Sequence, residues 1–121
     1  MSTLIIPGTL PTLNQIIAAS KSHYMQYSSM KNRDTNRIAQ LIRSQRIGKY
    51  ERVNLTFAWY CKDRRQDKDN IMAGQKFVID GLVKAGVLEN DGWKQIGDVT
   101  HRFDVDKQNP RIEVELTEVV G

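Results

Sequence analysis

Hydrophobic and polar residues alternate along the chain with two different periods, which predict four strands and two helices. In residues 53–60 every second side chain is large and apolar, which is the period-two pattern of a strand with one buried face. A short apolar run at 4–6 ends at a proline and a glycine and predicts an opening strand. Residues 99–105 and 112–116 alternate again across a polar stretch and are predicted to form an antiparallel hairpin.

The first helix is predicted between the first two strands. It begins at Ser28 or Ser29, either of which is a favourable N-terminal cap, and ends near Gln45, before Gly48. Apolar residues recur at helical spacing in its second half. Residues 15–28 fit neither period and stay unassigned.

The second helix is predicted to begin at Asn70. Its apolar stripe runs from Ile71 to Ala85, and Gly86 stands where a C-terminal cap glycine belongs. Gly74 weakens the helix by about 1 kcal/mol relative to alanine and indicates a close packing contact or an irregular first turn.

The predicted order of elements is therefore β-α-β-α-β-β. This order is typical of a small α/β (α+β) fold in which two main helices pack on one mixed sheet. A chain of 121 residues suffices for one modest core. Residues 1–121 are accordingly predicted to form a single domain.

Composition and charge narrow the class of protein. With 40% hydrophobic and 26% charged residues, and no apolar run near the roughly 20 residues that span a bilayer, we expect a soluble protein without a membrane partner. The first residues lack a basic leader, which favours an intracellular location. A single cysteine, Cys61, excludes an intramolecular disulfide, and two separated histidines give no zinc spacing. The net charge of +4 favours an anionic partner but does not by itself identify nucleic acid.

Two aspartates in the sequence RRQDKDNIMAGQKF are the strongest candidates for chemistry. Asp67 and Asp69 are predicted to lie on an extended segment before the second helix, so that their carboxylates point to the same side. Close carboxylates repel each other unless a hard cation such as Mg²⁺ lies between them. The alternative is that Asp69 or Asn70 only caps the helix within a solvated charged loop.

Two further residues could belong to the same site. Lys76 lies about two turns into the second helix and off its apolar stripe, where it could neutralise charge on a phosphate. The alternative is a surface ion pair with Asp80, four residues later. Asp91 could bring a third carboxylate to the pair, although the Asn-Asp-Gly turn explains it without any function.

These residues together resemble a known family. The run DKDNIMAGQKFVIDGLVKAGVLENDGWKQIGDV and the opening LIIPGTLPTLNQ are similar to the RusA-like Holliday junction resolvases, which are endodeoxyribonucleases that nick four-way DNA junctions. The resemblance covers nearly the whole chain. Two departures from the family pattern are three additional residues near Gly74 and Gln66 in place of an arginine.

The resemblance implies a site, a cofactor and partners. The metal-binding catalytic carboxylates of the family correspond to Asp67, Asp69 and Asp91, and its catalytic lysine to Lys76. Family members act as homodimers on branched DNA with Mg²⁺ or Mn²⁺ and without an organic cofactor. A cytoplasmic role in DNA recombination and repair, in a bacterial or phage-infected cell, is the corresponding expectation.

The hypothesis for the mechanism is that the three aspartates hold one or two Mg²⁺ ions for hydrolysis of a phosphodiester. Lys76 would stabilise the developing charge, and Asn70 would support the carboxylates through the helix cap. The residues expected to bind backbone phosphates are Lys62, Arg64, Arg65, Lys68 and Arg102. Two alternatives stay open: a non-catalytic protein that binds junctions or duplex DNA, and a nuclease of other branched DNA such as forks or flaps.

Overall fold

The four strands form one mixed sheet. The computed structural model describes residues 1–22 and 24–120, with the side chain of residue 24 left aside. The strands are β1 (Ser2–Pro7), β2 (Val53–Cys61), β3 (Ile96–Val105) and β4 (Arg111–Glu118), in the sheet order β1-β4-β2-β3. Strand β4 is antiparallel to both of its neighbours, whereas β2 and β3 are parallel. The predicted mixed sheet and the four predicted strands are thus confirmed.

The predicted hairpin between the last two strands is wrong, because β2 lies between β3 and β4. The physical reason is burial. The inward side chains of β2, from Val53 to Trp59, are at most 3% exposed, and such a strand is stabilised by a neighbour on each side. Residues 106–110 cross the end of β2, where the Asp106 N–H donates to the Cys61 carbonyl at 2.8 Å.

The region before β2 contains two helices instead of one. Helix α1 (Leu13–Ser22) begins at a reciprocal cap, in which the Thr12 hydroxyl accepts from the Gln15 N–H and the Gln15 side chain accepts from the Thr12 N–H. Helix α2 (Tyr24–Ser44) starts earlier than the predicted Ser28 or Ser29. Its last residue is Ser44, and the turn that follows contains Arg46 with a left-handed φ of 57°, so Gly48 is not the stop.

The second predicted helix is also divided, into α3 (Lys68–Met72) and α4 (Gln75–Lys84). The break lies at Gly74, where a Cβ atom would stand 3.0 Å from the Leu10 Cβ and 3.2 Å from the Trp59 ring. Gly74 therefore marks the close packing contact that the sequence indicated. Gly86 has a φ of 81° and ends α4 as predicted, with the Val87 N–H donating to the Leu82 carbonyl at 2.9 Å.

One hydrophobic core lies between the sheet and the helices. It combines the inward side chains of β1, β2 and β4 with Ile38 and Ile42 of α2 and with Phe77 and Leu82 of α4. Phe77 and Val87 belong to this core, at 1% and 2% exposure. None of the helices that the structure describes has the length and apolar character needed to cross a membrane.

Candidate functional site

The charged loop leaves the sheet at the C-terminal end of β2. Lys62, Arg64 and Arg65 are exposed there, and Arg65 pairs only loosely with Asp63, at 3.7 Å. Such an exposed ion pair contributes little to stability. The Lys68 amine lies 5.4 Å from the centre of the Phe103 ring of β3. Four cationic side chains thus surround one end of the strand pair β2 and β3.

Asp67 and Asp69 lie on the same stretch as these cations, and both are exposed. Asp67 is the N-cap residue of α3, with an extended backbone, and its side chain makes no capping hydrogen bond. Asp69 lies in the first turn of the helix and accepts the Asn70 N–H at 2.9 Å. The prediction that both aspartates lie on an extended segment is therefore wrong, because the helix begins before Asp69. Two side chains at i and i+2 within a helix do not face each other. Asp67, however, precedes the helix and has an extended backbone, so its carboxylate can still turn toward that of Asp69.

Asn70 anchors this segment to α1. It is a buried polar residue at 8% exposure, and its side-chain oxygen accepts the Asn14 N–H at 2.9 Å. Its amide group also donates to the Gln66 side chain. The N-cap position of α3 is Asp67, so the prediction that Asp69 or Asn70 caps the helix is wrong. The support that Asn70 gives is instead a tertiary contact with α1. Asn14 carries no pattern that would have revealed this role.

Lys76 is the second residue of α4, and its side chain is 53% exposed. Its amine lies 3.9 Å from the Asp80 carboxylate, and the Lys31 amine of α2 lies 4.0 Å from the same oxygen. The structure thus contains the Lys76–Asp80 pair that was the alternative to a catalytic role. An exposed lysine in such a pair keeps the freedom to contact a bound phosphate.

Asp91 lies at the opposite end of the sheet from Asp67 and Asp69. It belongs to the exposed loop 89–95, which is held beside the start of β2 by a hydrogen bond from the Val53 N–H to the Gln95 carbonyl at 2.9 Å. The nine residues of β2 separate the two ends by about 26 Å, at roughly 3.3 Å per residue. Across residues 1–22 and 24–120, no three His, Cys, Asp or Glu side chains converge to hold a metal ion. A single chain therefore does not bring Asp91 to the pair.

Arg102 lies on the sheet face that is turned away from the helices. Its neighbour across the parallel ladder is Ala58, and it alternates with His101 and Phe103, whose rings face the helix layer. Lys68 lies over Phe103 and hence on the other face of β3. Arg102 and the charged loop therefore do not form one continuous surface.

His101 of β3 links α4 to the sheet through hydrogen bonds that the sequence does not predict. The Trp59 indole N–H donates to Nδ1 of His101 at 2.9 Å, so the ring proton resides on Nε2 and is donated to the Gln75 side chain at 3.0 Å. His101 also stacks on Phe57, with ring centroids 5.1 Å apart. Burial lowers the pKa of His101 below its ordinary value. Residues 59, 75 and 101 are too far apart in sequence for any motif to connect them.

A cavity of about 420 Å³ opens beside the charged loop. Its floor includes Leu10, Trp59 and Ile71, and its rim includes Lys62 and Gln66. A site of this volume and mixed lining is large enough for a small molecule. Cys61 also lines it, and burial, followed by the charge of Asp63, raises the pKa of its thiol, so the thiol is protonated near neutral pH.

No protein-family model matches the chain, and no curated protein matches it either.

Proposed function

We propose that this protein is a Mg²⁺-dependent endodeoxyribonuclease related to the RusA-like resolvases, which resolves four-way DNA junctions by paired symmetric nicks. The observation that supports the proposal is the composition of the segment 62–69. It presents two exposed carboxylates for a hard cation and four cationic side chains for phosphates, all at one end of β2. A phosphodiester bound by the cations would lie next to the carboxylates.

The chemistry of these carboxylates fits a magnesium ion. Asp67 makes no capping hydrogen bond, so its oxygens are available as ligands, and Asp69 keeps one oxygen beyond its bond to the Asn70 N–H. A bound Mg²⁺, or Mn²⁺ in its place, would polarise the phosphate and lower the pKa of an attacking water. Asn70 keeps the segment in position through its contact with Asn14. Lys76 would contribute positive charge to the phosphate from the start of α4.

The third carboxylate requires a second copy of the chain. Asp67 and Asp69 lie at one end of β2, and Asp91 lies at the other end. One copy therefore cannot bring all three proposed ligands together. In a two-fold symmetric dimer with the sheets antiparallel, Asp91 of each copy would meet the pair of the other copy. Such a dimer has two equivalent sites, as paired nicking of a symmetric junction requires.

The four cations predict how binding depends on salt. If Lys62, Arg64, Arg65 and Lys68 each contact one phosphate, the logarithm of the junction-binding constant should fall with the logarithm of salt concentration. The slope would be about −3.6 per subunit, because each neutralised phosphate of duplex DNA contributes roughly −0.9.

The proposal is tested by cleavage of a labelled synthetic four-way junction, with a linear duplex and a fork as comparisons, in Mg²⁺ or in EDTA. Asp69→Asn should lose at least about 100-fold in cleavage rate, because even partners of metal ligands contribute 10- to 100-fold. Junction binding should be kept or strengthened. The matched control is Asp63→Asn, which makes the same charge change in the same loop and preserves the acceptor for the Arg65 N–H.

Equal cleavage by the wild type, Asp69→Asn and Asp63→Asn would refute the site assignment. Lys76→Met, measured in the same assay, separates a role at the phosphate from a surface pair with Asp80. Loss of cleavage with unchanged folding would support the first role. Preference for the fork over the junction would keep the nuclease and change its substrate.

A second candidate function is a junction or duplex DNA-binding protein without activity. It is favoured by the separation of Asp91 from the aspartate pair within one chain. In that case the aspartates only begin α3 and space the basic loop. Tight, salt-dependent junction binding without nicks in Mg²⁺ or Mn²⁺ would establish this candidate in place of the nuclease.

A further inference from the structure

Strand β3 presents a long open edge. It has ten residues, and in the described part of the chain it pairs only with β2. The Asp106 N–H points toward β2, where it donates to the Cys61 carbonyl. Because successive backbone groups of a strand point to alternate sides, those of Val99, His101 and Phe103 point to the open edge. An edge of this length pairs readily with another strand.

We propose that β3 pairs antiparallel with β3 of a second copy of this chain, with Thr100 facing Thr100 on the two-fold axis. In such a symmetric pair the two residue numbers opposite each other have a constant sum. Opposite residues share a face of the sheet, so this sum is even. Only a few registers remain, and they differ in which charged side chains lie opposite each other.

The register centred on Thr100 pairs residues 98–102, because an irregularity between Ile96 and Val99 interrupts the alternation before them, and it places Asp98 opposite Arg102 of the second copy, twice by symmetry. The register centred on His101 pairs residues 98–104 but places Asp98 opposite Asp104, which is a like-charge pair. Opposite charges across strands stabilise the pairing and like charges weaken it. Charge complementarity therefore selects the register centred on Thr100, and it gives Arg102 a role at the interface.

Exposed apolar residues extend the same surface. Val99 and Val105 of β3 are each 38% exposed, and the Trp93 side chain in the loop before β3 is 96% exposed. In the chosen register the N-terminal end of β3 lies beside the C-terminal end of β3 of the second copy. The loop 89–95 then reaches the far end of the second copy's β2 and β3, where Trp93 is covered. Burial of a tryptophan is a common source of interface stability.

The proposed interface is inferred from the open edge of β3 alone. Its consequence, that Asp91 completes the metal site of the second copy, rests on the proposed function. The same loop carries Asp91, and the pairing brings it to the end of the second copy where Asp67 and Asp69 lie. The helices of both copies lie on the same side of the extended sheet, because a two-fold axis perpendicular to a sheet preserves its faces. Asp91 and α3 of the other copy are consequently on the same side.

The first test is a disulfide across the axis. The backbone groups of Thr100 point toward β2, so the two Thr100 residues form a non-hydrogen-bonded pair with Cα atoms about 4.5 Å apart, within disulfide range. In a Cys61→Ala background, Thr100→Cys should form a covalent dimer under mild oxidation. Thr117→Cys, which is exposed on β4 away from the edge, is the control. Failure of Thr100→Cys to cross-link, or equal cross-linking of both variants, would overturn the proposal.

The second test reverses the charges. Arg102→Asp should weaken the dimer about 10-fold or more in sedimentation velocity, and adding Asp98→Arg should restore it. Failure of the double exchange to restore the dimer would overturn the proposed register. A dimer that makes no nicks would refute the nuclease and leave the interface. Nicking by a protein that stays monomeric would refute the interface and the completion of the site by Asp91 of a second copy, and would leave only metal-dependent nicking.

Discussion

Replacement of Gly74 by alanine tests the contact that divides α3 from α4 and so sets the position of the candidate site. The backbone there is helical, with a φ of −62° and a ψ of −16°, so alanine fits the chain without strain. Alanine would stabilise a helical position by about 1 kcal/mol relative to glycine. Intrinsic propensity alone therefore predicts a more stable protein.

Packing opposes this gain. The new methyl group would lie 3.0 Å from the Leu10 Cβ and 3.2 Å from the Trp59 ring. The Leu10 Cβ is attached directly to the backbone and cannot rotate away. The indole is held by its hydrogen bond to His101 and by stacking on Phe57 at 5.6 Å. Overpacking of a rigid core usually costs about 1–3 kcal/mol.

The net expectation is that Gly74→Ala destabilises the protein by about 1 kcal/mol, since the packing loss exceeds the propensity gain. This corresponds to a lower melting temperature by roughly 4 °C for a chain of this size. Gly48→Ala is the matched control, because nothing lies within 4 Å of the position that its methyl group would take. Thermal and urea unfolding measure both variants. A Gly74→Ala protein at least as stable as the wild type would refute the rigidity assigned to the Trp59 and Leu10 contact.

Two further perturbations test the contacts around the site. Asn70→Ala should destabilise the protein by about 1–2 kcal/mol in urea unfolding, because the Asn14 N–H loses its acceptor. The control is Asn32→Ala on the exposed face of α2, which should change stability by less than about 0.5 kcal/mol. Burial lowers the pKa of His101 from its ordinary 6.5, so at mildly acidic pH the unfolded chain binds a proton that the folded chain excludes. The free energy of unfolding should therefore fall as the pH drops below about 6.5. His101→Gln should reduce this loss between pH 7.5 and 5.5, and an unchanged pH dependence would contradict the neutral state assigned to His101.

The sequence predicts the four strands and the end of α4, because strand periodicity and a C-terminal cap glycine are local signals, whereas the predicted N-terminal cap at Ser28 or Ser29 is wrong. Residues 53–60 alternate strictly and form β2, and Gly86 ends α4 as its position indicated. Strand order depends instead on which strand gains most from two neighbours. Alternation in 99–105 and 112–116 carries no information about a third strand inserted between them, so the hairpin prediction is wrong.

The candidate site is only partly readable from the sequence for the same reason. The cluster of charges around Asp67 is contiguous in the chain and is evident directly. The anchoring of Asn70 to Asn14, and the bond of His101 to Trp59, connect residues more than 40 positions apart. The location of Asp91 at the other end of β2 follows from the parallel pairing of β2 and β3, which a sequence pattern does not encode.

The separation of Asp91 from the pair leads to a prediction about mixed dimers. Under the proposed function, each site combines Asp67 and Asp69 of one copy with Asp91 of the other. Asp69→Asn and Asp91→Asn should each be inactive alone. A dimer of one subunit of each kind has one site with both changes and one site with none. After equimolar mixing and free exchange, half of the dimers are mixed, so about one quarter of the wild-type sites should return.

The products distinguish this restoration from full activity. A mixed dimer holds one intact site, so it should nick one strand of a four-way junction without making the symmetric second nick. Denaturing gels should then show nicked strands, while native gels show few resolved duplexes. No recovery on mixing, although subunit exchange is verified with a labelled partner, would mean that Asp91 does not complete the site across the dimer. Recovery of nicking without paired resolution would show that each active site is assembled from two copies, with Asp67 and Asp69 from one copy and Asp91 from the other.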